Sequence, residues 1–156
     1  MVCTPPCWTV GPKRKPFEWD FILFVKRKEV FRPKYKKIRK GVLKKLEYKM
    51  NSLNFGTVGL KAIESGIILL NQLEAARQAI NRKLNRKGKI WIRIYPNYPI
   101  TRKPVEVRMG KGKGQVSYWG AKISGGTILF EICGISKDKA IYAFNSGSSK
   151  LPIKTK

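Results

Sequence analysis

The chain has 156 residues, a length that suits one domain with short extensions, and 42% of its residues are apolar. Thirty-four Lys and Arg residues stand against nine Asp and Glu residues, which gives a formal net charge of +25. These totals exclude a wholly disordered chain and favour a polyanionic partner, with nucleic acid ahead of a membrane surface. The chain has no histidine, so Ser-His-Asp and Cys-His catalysis are excluded.

Residues 1–29 differ in composition from the rest of the chain. Four prolines between positions 5 and 16 argue against a helix, so we predict an extended N-terminal extension. The apolar run at 21–25 is far shorter than the roughly 20 residues that cross a bilayer, and we expect no membrane anchor. Cys3 and Cys7 have no histidine to complete a metal site, so neither a metal nor a cofactor is expected.

The segment 26–49 is strongly basic. It contains twelve Lys or Arg residues and two acids, with aromatic residues between them. A run of this kind is typical of an arm that an anion orders, and its density predicts contact with nucleic acid. Lysine outnumbers arginine by 24 to 10 in the whole chain, which favours contacts to phosphates over bidentate recognition of bases.

The segment 55–70 is rich in glycine and β-branched residues, and it predicts short strands with a turn near 64–66. A helix is predicted to follow. Asn71 and Glu74 have the spacing of an N-cap and its capping-box partner, and Gly88 is expected to end the helix.

The predicted helix is amphipathic. Its apolar residues recur at helical spacing and form one stripe: Leu73, Ala76, Ile80 and Leu84. Arg77, Arg82 and Arg86 lie off this stripe. The first interpretation of such a face is a solvated polar surface. Because no acid follows Glu74 on the helix, we instead predict that these arginines lack local partners and face RNA.

The stretch "KIWIRIYP" predicts a strand that ends at Pro96. Its isoleucines point to one side, toward the helix stripe. Its other face carries Trp91, Arg93 and Tyr95, and this face is either a stacking surface for RNA or a second packed layer. "NYPITRKP" then predicts a proline-bounded loop.

The C-terminal third predicts a hairpin and a short helix. "VSYWGAKI" and "TILFEIC" read as strands joined by a turn at 124–126, with Cys133 buried. Ser136 is the expected cap of the helix, Gly147 is its expected end, and its apolar face is Ala140, Ala143 and Phe144. A basic tail closes the chain. The order of elements predicts an α+β fold with two helices packed on a largely antiparallel sheet.

The segment "RMGKGKG" at 108–114 alternates cations with glycines. A phosphate-binding loop of the Walker type needs Ser or Thr after Gly112-Lys113 and a helix beyond it, and this segment has neither. Glycine lets a backbone approach a phosphate chain closely while the cations neutralise its charge. We therefore predict a loop that binds a polyanion; the alternative is a flexible hairpin tip with incidental charge.

Six stretches carry a resemblance to a known family: "NQLEAARQAINR", "GKIWIRIYPNYPIT", "KPVEVRMGKGKG", "YWGAKI", "GTILFEICGI" and "KLPIKTK". In order and spacing they resemble the bacterial-type large-subunit ribosomal protein sixteen, and the basic stretch 32–41 is similar to that family's N-terminus. The resemblance covers residues 30–156 and is most specific over 88–114. It divides the chain into a divergent extension, 1–29, and a ribosomal core domain, 30–156.

This resemblance implies an α+β fold of the hammerhead type and a structural role in subunit assembly and translation, with no enzymatic activity. The implied partners are large-subunit rRNA near the aminoacyl-tRNA site, A-site tRNA and neighbouring large-subunit proteins. The matching loop would point toward the peptidyl transferase centre, and its residues are Arg108, Met109, Gly110, Lys111, Gly112, Lys113 and Gly114. Whether this loop contacts rRNA, tRNA or both stays open.

Taken together, the residues and the resemblance give one set of expected RNA contacts. These are Lys34, Lys36, Lys37, Arg39, Lys40, Arg77, Arg82, Arg86, Arg93, Arg108, Lys111 and Lys113. Gln78 stands where a further arginine is common in the family, which removes one expected phosphate contact.

The use of Lys, Ile and Asn indicates an AT-rich organellar genome. We therefore predict a mitochondrial ribosome in the matrix and an organelle-encoded chain, with a plastid or the bacterial cytoplasm as alternatives. An assembly factor that acts outside the mature ribosome is the alternative function.

Overall fold

The structure of the chain is a computed structural model that describes residues 37–43, 46–110 and 112–156. The predictions for the extension at 1–29 and for Lys34, Lys36 and Lys111 lie outside these residues. Within the described part, no helix has the length and apolar composition needed to cross a membrane.

Six strands and two helices make up the described part of the chain. The strands are β1 (Val58–Lys61), β2 (Gly66–Leu69), β3 (Lys89–Ile92), β4 (Tyr98–Arg102), β5 (Gln115–Ile123) and β6 (Ile128–Cys133). The helices are α1 (Leu70–Lys83), which follows β2, and α2 (Lys137–Ser148), which follows β6. A short 3-10 turn, Lys49–Asn51, precedes β1.

The strands form two antiparallel sheets of three strands each. Sheet one has the order β1-β6-β3, and sheet two has the order β2-β5-β4. Helix α1 packs against α2 and against strands β2 and β5, and α2 also contacts β1. The helix pair therefore contacts both sheets. This arrangement confirms the predicted α+β class. The strands form two sheets, whereas a single sheet was predicted.

The apolar faces predicted on the two helices meet in the core. The buried members are Leu73, Ala76, Ile80 and Leu84 on or beside α1, and Ala140, Ala143 and Phe144 on α2. Gly147 was expected to end α2, but the helix continues through Ser148. A Cβ at Gly147 would lie 2.6 Å from Ile80 Cγ1, so the glycine allows the helices to pack closely.

The turn predicted at 124–126 is present, but the strands that flank it are partners of other strands. Strand β5 lies in sheet two and β6 lies in sheet one. The Gly126 N–H donates to the Ala62 carbonyl at 2.7 Å, and the Gly125 N–H donates to Ser65 Oγ at 2.9 Å. The turn is thus bonded to the β1–β2 connection, which crosses between the same two sheets. The predicted hairpin was wrong because alternating polarity indicates a strand and its buried face, not its partner.

The predicted proline-bounded loop contains strand β4. Tyr98 pairs with Gly120 and Arg102 pairs with Gln115 across the β4–β5 ladder. Pro99 has no N–H to donate, but β4 is an edge strand, where a proline is tolerated. The loop prediction was wrong because prolines usually interrupt a strand. An edge strand needs hydrogen bonds on one side only, so it can contain a proline.

Helix α1 begins at Leu70, two residues before the start implied by an Asn71 N-cap. The N-cap is Leu69, whose N–H donates to Gln72 Oε1 at 2.9 Å. Gln72 therefore supplies the bond that was predicted for Glu74, because the capping pair is shifted by two residues.

Helix α1 also ends before Gly88. Its last residue is Lys83, and the chain then turns through Asn85 and Arg86, which have φ values of 51° and 59°. Three backbone bonds hold this turn: Asn85 N–H to the Arg82 carbonyl, Arg86 N–H to Asn81 and Lys87 N–H to Leu84. The left-handed conformation therefore occurs at two residues other than glycine, which the sequence pattern did not indicate.

The basic C-terminal tail is bound along the end of β1. Lys61 and Lys156 exchange two backbone hydrogen bonds, with N···O distances of 2.7 and 2.8 Å. Ala62 and Thr155 form an isolated antiparallel bridge beside them. The end of the chain thus adds to the edge of sheet one.

Candidate nucleic-acid interface

The glycine-rich segment belongs to a long loop between β4 and β5. The Arg102–Gln115 pair closes this loop at its base. Val105 and Met109 are 96% and 94% exposed, so the apolar side chains of the loop project into solvent instead of packing on the core. The Lys103 ammonium donates a hydrogen bond to the Gly110 carbonyl at 2.7 Å. This bond joins the tip of the loop to its base.

The three glycines of this loop have two different roles. Gly110 and Gly112 have φ values of 101° and 83°, which other residues rarely adopt, and a Cβ at either position would meet open space. At Gly114 a Cβ would lie 2.7 Å from the Arg102 carbonyl oxygen, so this glycine permits a close approach of two backbones. Strand β5 begins directly after it, which confirms that no helix follows the glycines. A nucleotide-binding loop that opens a helix is therefore excluded.

The basic segment 37–41 lies against sheet two and contacts this loop. Three successive carbonyls of the segment accept hydrogen bonds from sheet-two side chains or the loop. The Ile38 carbonyl accepts from the Lys113 ammonium, the Arg39 carbonyl from the Tyr98 hydroxyl, and the Lys40 carbonyl from the Lys122 ammonium. In return, the Lys37 ammonium donates to the Lys113 carbonyl at 3.0 Å. Anchoring through the backbone leaves the side chains of the segment at the surface.

The loop and the segment together form one cationic surface, which we call the loop–arm surface. Its members are Lys37, Arg39, Lys40, Arg102, Lys103 and Lys113. A cleft of about 580 Å³ lies between the loop and the segment, and its described lining contains four of these cations and no acid. Ammonium groups that donate once to a carbonyl retain N–H donors for an external acceptor. The structure thus brings Lys37, Arg39 and Lys40 from the predicted set together with Lys113, which lies about 75 residues later in the sequence.

Arg77 on helix α1 has a local partner, contrary to prediction. Its Nε and Nη2 atoms donate to the two Glu74 carboxylate oxygens at 2.9 and 2.7 Å. Burial alone would raise the pKa of Glu74, but the bonds from Arg77 and Gln78 lower it on balance. The prediction considered only acids after Glu74 and so overlooked Glu74 itself, three residues before Arg77.

Arg82 and Arg86 are exposed near the end of α1. Neither forms a salt bridge to an acid among the residues that the structure describes. Their sequence neighbours Lys83 and Lys87 line a second cleft, together with Lys139 and the acid Asp138. No described residue of this cleft lines the cleft of the loop–arm surface.

Arg93 occupies an internal ion pair. Its guanidinium donates to the carboxylate of Glu131, whose side chain is 0% exposed, and the Arg93 side chain itself is 10% exposed. The same carboxylate accepts the N–H groups of Phe55 and Gly56 at 2.7 and 2.8 Å. Of the two interpretations for this face of the strand, the structure favours a packed layer at Arg93. We therefore leave Arg93 out of the proposed interface.

The Glu131 carboxylate gives the fold a defined response to acid. Burial would raise its pKa, but the bonds from Phe55, Gly56 and Arg93 outweigh that effect and lower the pKa below the ordinary value of 4.5. A carboxyl with a lowered pKa in the folded state stabilises the fold fully above its ordinary pKa, and this contribution is lost as the pH falls toward the folded-state value. We expect the free energy of unfolding to decrease below pH 4.5, and to decrease less steeply in Glu131→Gln. Urea unfolding at a series of pH values measures both slopes; parallel slopes would contradict the assignment.

Two members of the loop–arm surface, Arg102 and Lys103, were not among the predicted site residues. Lys122, which anchors the basic segment, was also not among them. The Lys122 ammonium lies 4.3 Å from the Tyr98 ring centroid while it holds the Lys40 carbonyl. Their spacing from the basic segment carries no sequence signal, since the contact depends on how β4 and β5 pair.

The described residues contain no cluster of three or more His, Cys, Asp or Glu side chains that would hold a metal ion. Cys133, predicted to be buried, is half-buried on β6.

Comparison with known proteins gives the family. A family model described as "Ribosomal protein L16p/L10e" matches residues 30–156. "Large ribosomal subunit protein uL16" of Buchnera aphidicola subsp. Cinara cedri is 54% identical over 122 residues, which cover 78% of this chain and 89% of that protein. The proteins of the same name from Blochmanniella floridana and Bartonella henselae are each 50% identical, over 80% of this chain and 92% and 91% of theirs.

These relatives are ribosomal proteins and not enzymes, in agreement with the prediction for this chain. The matches and the α+β fold converge on one assignment. The chain therefore belongs to the ribosomal protein L16p/L10e family and is a structural constituent of the large ribosomal subunit.

Proposed function

We propose that the chain binds large-subunit rRNA through the loop–arm surface, with Arg82 and Arg86 as additional contacts. The observation that carries this proposal is the docking of the basic segment 37–41 against the glycine-rich loop. That docking concentrates cations around a cleft with no acid in its described lining. Such a surface offers many ammonium donors to a phosphate backbone and no base-reading geometry, as the excess of lysine over arginine also indicates.

The loop at 108–114 is proposed to reach toward A-site tRNA and the peptidyl transferase centre. Family membership and the solvent exposure of the loop support this orientation. Arg108 and Met109 are exposed, and Gly110 and Gly112 allow the backbone to lie close to a nucleic acid. Predicted contacts from Lys34, Lys36 and Lys111 remain part of the proposal.

Sedimentation tests the proposed function. The chain, tagged at its C-terminus, is expected to be present at one copy per large subunit after a wash in moderate salt, and to cross-link to large-subunit rRNA under ultraviolet light. Recovery only in the ribosome-free supernatant would refute the proposal. Recovery on precursor particles but not on mature subunits would instead favour an assembly factor.

The compartment remains a proposal. The relatives named above are bacterial proteins, which agrees with the bacterial alternative and does not distinguish it from an organelle. We propose a mitochondrial ribosome with an organelle-encoded chain, and plastid or bacterial cytoplasm as the alternatives. Mapping the gene to an organellar or a main chromosome distinguishes these sources. The role of the extension at 1–29 is likewise a proposal: contact with additional protein or rRNA.

Substitution of Gly112 by Val is expected to impair subunit assembly or translation more than the stability of the free chain. A Cβ at this position meets no neighbour, but φ is 83°, so Val would shift the exposed loop without disturbing the core. The measurements are the thermal midpoint of the free chain and the yield of active large subunits. Gly147→Val is the matched control, because its Cβ meets Ile80 and the loss should appear in the thermal midpoint. A large loss of stability in Gly112→Val would contradict this expectation.

A further inference from the structure

Phe55 is an aromatic residue displayed at the surface beside sheet one. The residue is 58% exposed. One face of its ring stacks on Trp91 of strand β3, with centroids 6.1 Å apart and an interplanar angle of 20°. Trp91 is half-buried beneath it. The pair therefore presents an aromatic surface that extends outward from the sheet.

The backbone that carries Phe55 is fixed by the buried carboxylate of Glu131. The N–H groups of Phe55 and Gly56 donate to Glu131 Oε2, and the Asn54 N–H lies 3.3 Å from the same atom. A Cβ at Gly56 would lie 2.8 Å from the Ile132 backbone nitrogen, so the segment lies directly on β6. Neither the fold nor the proposed function requires an exposed phenylalanine at the end of this arrangement. The buried ion pair thus acts to position an aromatic ring.

Cations flank the exposed aromatic pair. The Arg93 guanidinium carbon lies 5.5 Å from the Phe55 ring centroid, and the Lys89 ammonium lies 5.3 Å from the Trp91 ring centroid. Arg93 is already paired with the enclosed Glu131 carboxylate, so its charge is not available to a partner. An exposed aromatic ring whose stacked neighbour carries a lysine ammonium over its own ring suits a partner that has both a π-face and negative charge, which describes a nucleotide better than an apolar peptide.

We propose that Phe55, stacked on Trp91 and positioned by Glu131, is a platform on which an unpaired base of RNA stacks. The proposal rests on the proposed RNA binding and adds a contact of a different kind. The loop–arm surface neutralises phosphates, whereas the Phe55 platform recognises the π-face of a base without regard to its identity. The two sites share no residue, and Trp91 belongs to sheet one while β4 and β5 belong to sheet two.

A base-stacking contact is separable from a phosphate contact by its dependence on salt. Loss of a phosphate contact lowers both the affinity and the slope of its dependence on salt concentration, because fewer counterions are released. Loss of a stacking contact lowers the affinity at every salt concentration and leaves that slope unchanged. Alanine substitution at a stacking aromatic weakens binding by about 5- to 150-fold.

The test compares two polyanions, a single-stranded oligoadenylate and a polyphosphate chain of matched charge, with the full-length protein. In Phe55→Ala we expect about 5- to 150-fold weaker oligoadenylate binding, an unchanged salt slope and unchanged polyphosphate binding. Phe55→Tyr, which keeps the ring, should bind like the wild type. Tyr118→Ala is the control, because Tyr118 is an exposed aromatic residue of sheet two (41%) that lines neither of the two cationic clefts. This variant should bind oligoadenylate normally.

Three outcomes would overturn the platform. These are unchanged oligoadenylate binding in Phe55→Ala, an equal loss for polyphosphate, or unchanged RNA binding with impaired incorporation into subunits, which would point to a protein partner. Failure of the wild type to bind either polyanion would refute the proposed RNA binding itself. Glu131→Gln should weaken oligoadenylate binding less than Phe55→Ala, since Gln retains one oxygen to accept the N–H groups.

Discussion

Substitution of Arg93 by Met is expected to lower the free energy of unfolding by about 3 kcal/mol, at the lower end of the range for breaking a buried ion pair. The substitution leaves the Glu131 carboxylate enclosed in sheet one without its cation. The N–H groups of Phe55 and Gly56 still donate to it, which limits the loss. Urea unfolding of the free chain, followed by far-ultraviolet circular dichroism, measures the change.

Two controls separate the ion pair from the general effect of removing a charge. Arg86→Met removes an exposed cation and should change the free energy of unfolding by less than about 0.5 kcal/mol. The double variant Arg93→Met, Glu131→Gln removes both charges, and it should recover part of the stability because no unpaired charge remains buried. If the double variant lost as much free energy of unfolding as the two single variants together, the two residues would not be coupled.

The elements that sequence reasoning predicted well are those defined by local periodicity. The stripe from Leu73 to Leu84 and the face formed by Ala140, Ala143 and Phe144 follow from helical spacing alone, and both are buried. The α+β class followed from the order of such elements. By contrast, the partner of β5 depends on the β1–β2 connection, which lies more than 50 residues earlier, and no local pattern encodes it.

The candidate site was predictable in its charges but not in its assembly. Lys37, Arg39 and Lys40 were selected because a dense basic run indicates an anionic partner. Their docking depends on the carbonyls of the segment 38–40, and every residue has a carbonyl, so composition carries no trace of it. Arg93 shows the opposite error, because it was included among the expected RNA contacts while its acid partner lay 38 residues away.

The cations of this chain therefore fall into two classes that composition does not distinguish. Arg77 and Arg93 are held by carboxylates, so binding a phosphate would cost them an existing ion pair. The described side-chain bonds of the loop–arm surface go to carbonyls, and none of its members forms a described ion pair with a carboxylate. This difference indicates where neutralising substitutions will weaken RNA binding most.

Replacing Lys37, Arg39 and Lys40 together by Gln is expected to reduce the salt dependence of binding to purified large-subunit rRNA. Each lost phosphate contact lowers the slope by about 0.7 to 0.9, so three contacts lower it by about 2 to 3. The three side chains are exposed and the segment is anchored through its carbonyls, so the free energy of unfolding should change little. Binding is measured by filter retention over a series of salt concentrations.

The matched control replaces Lys137, Lys150 and Lys156, which are exposed and line neither of the two cationic clefts, by Gln. Both triple variants lose three positive charges, so the long-range attraction to RNA falls equally in the two. Only the loop–arm variant should show a lower slope of log affinity against log salt concentration, because counterions are released where a cation lies against a phosphate. Equal slopes in the two variants would mean that the segment 37–41 contributes net charge alone, and the loop–arm surface would then not be the rRNA-binding site.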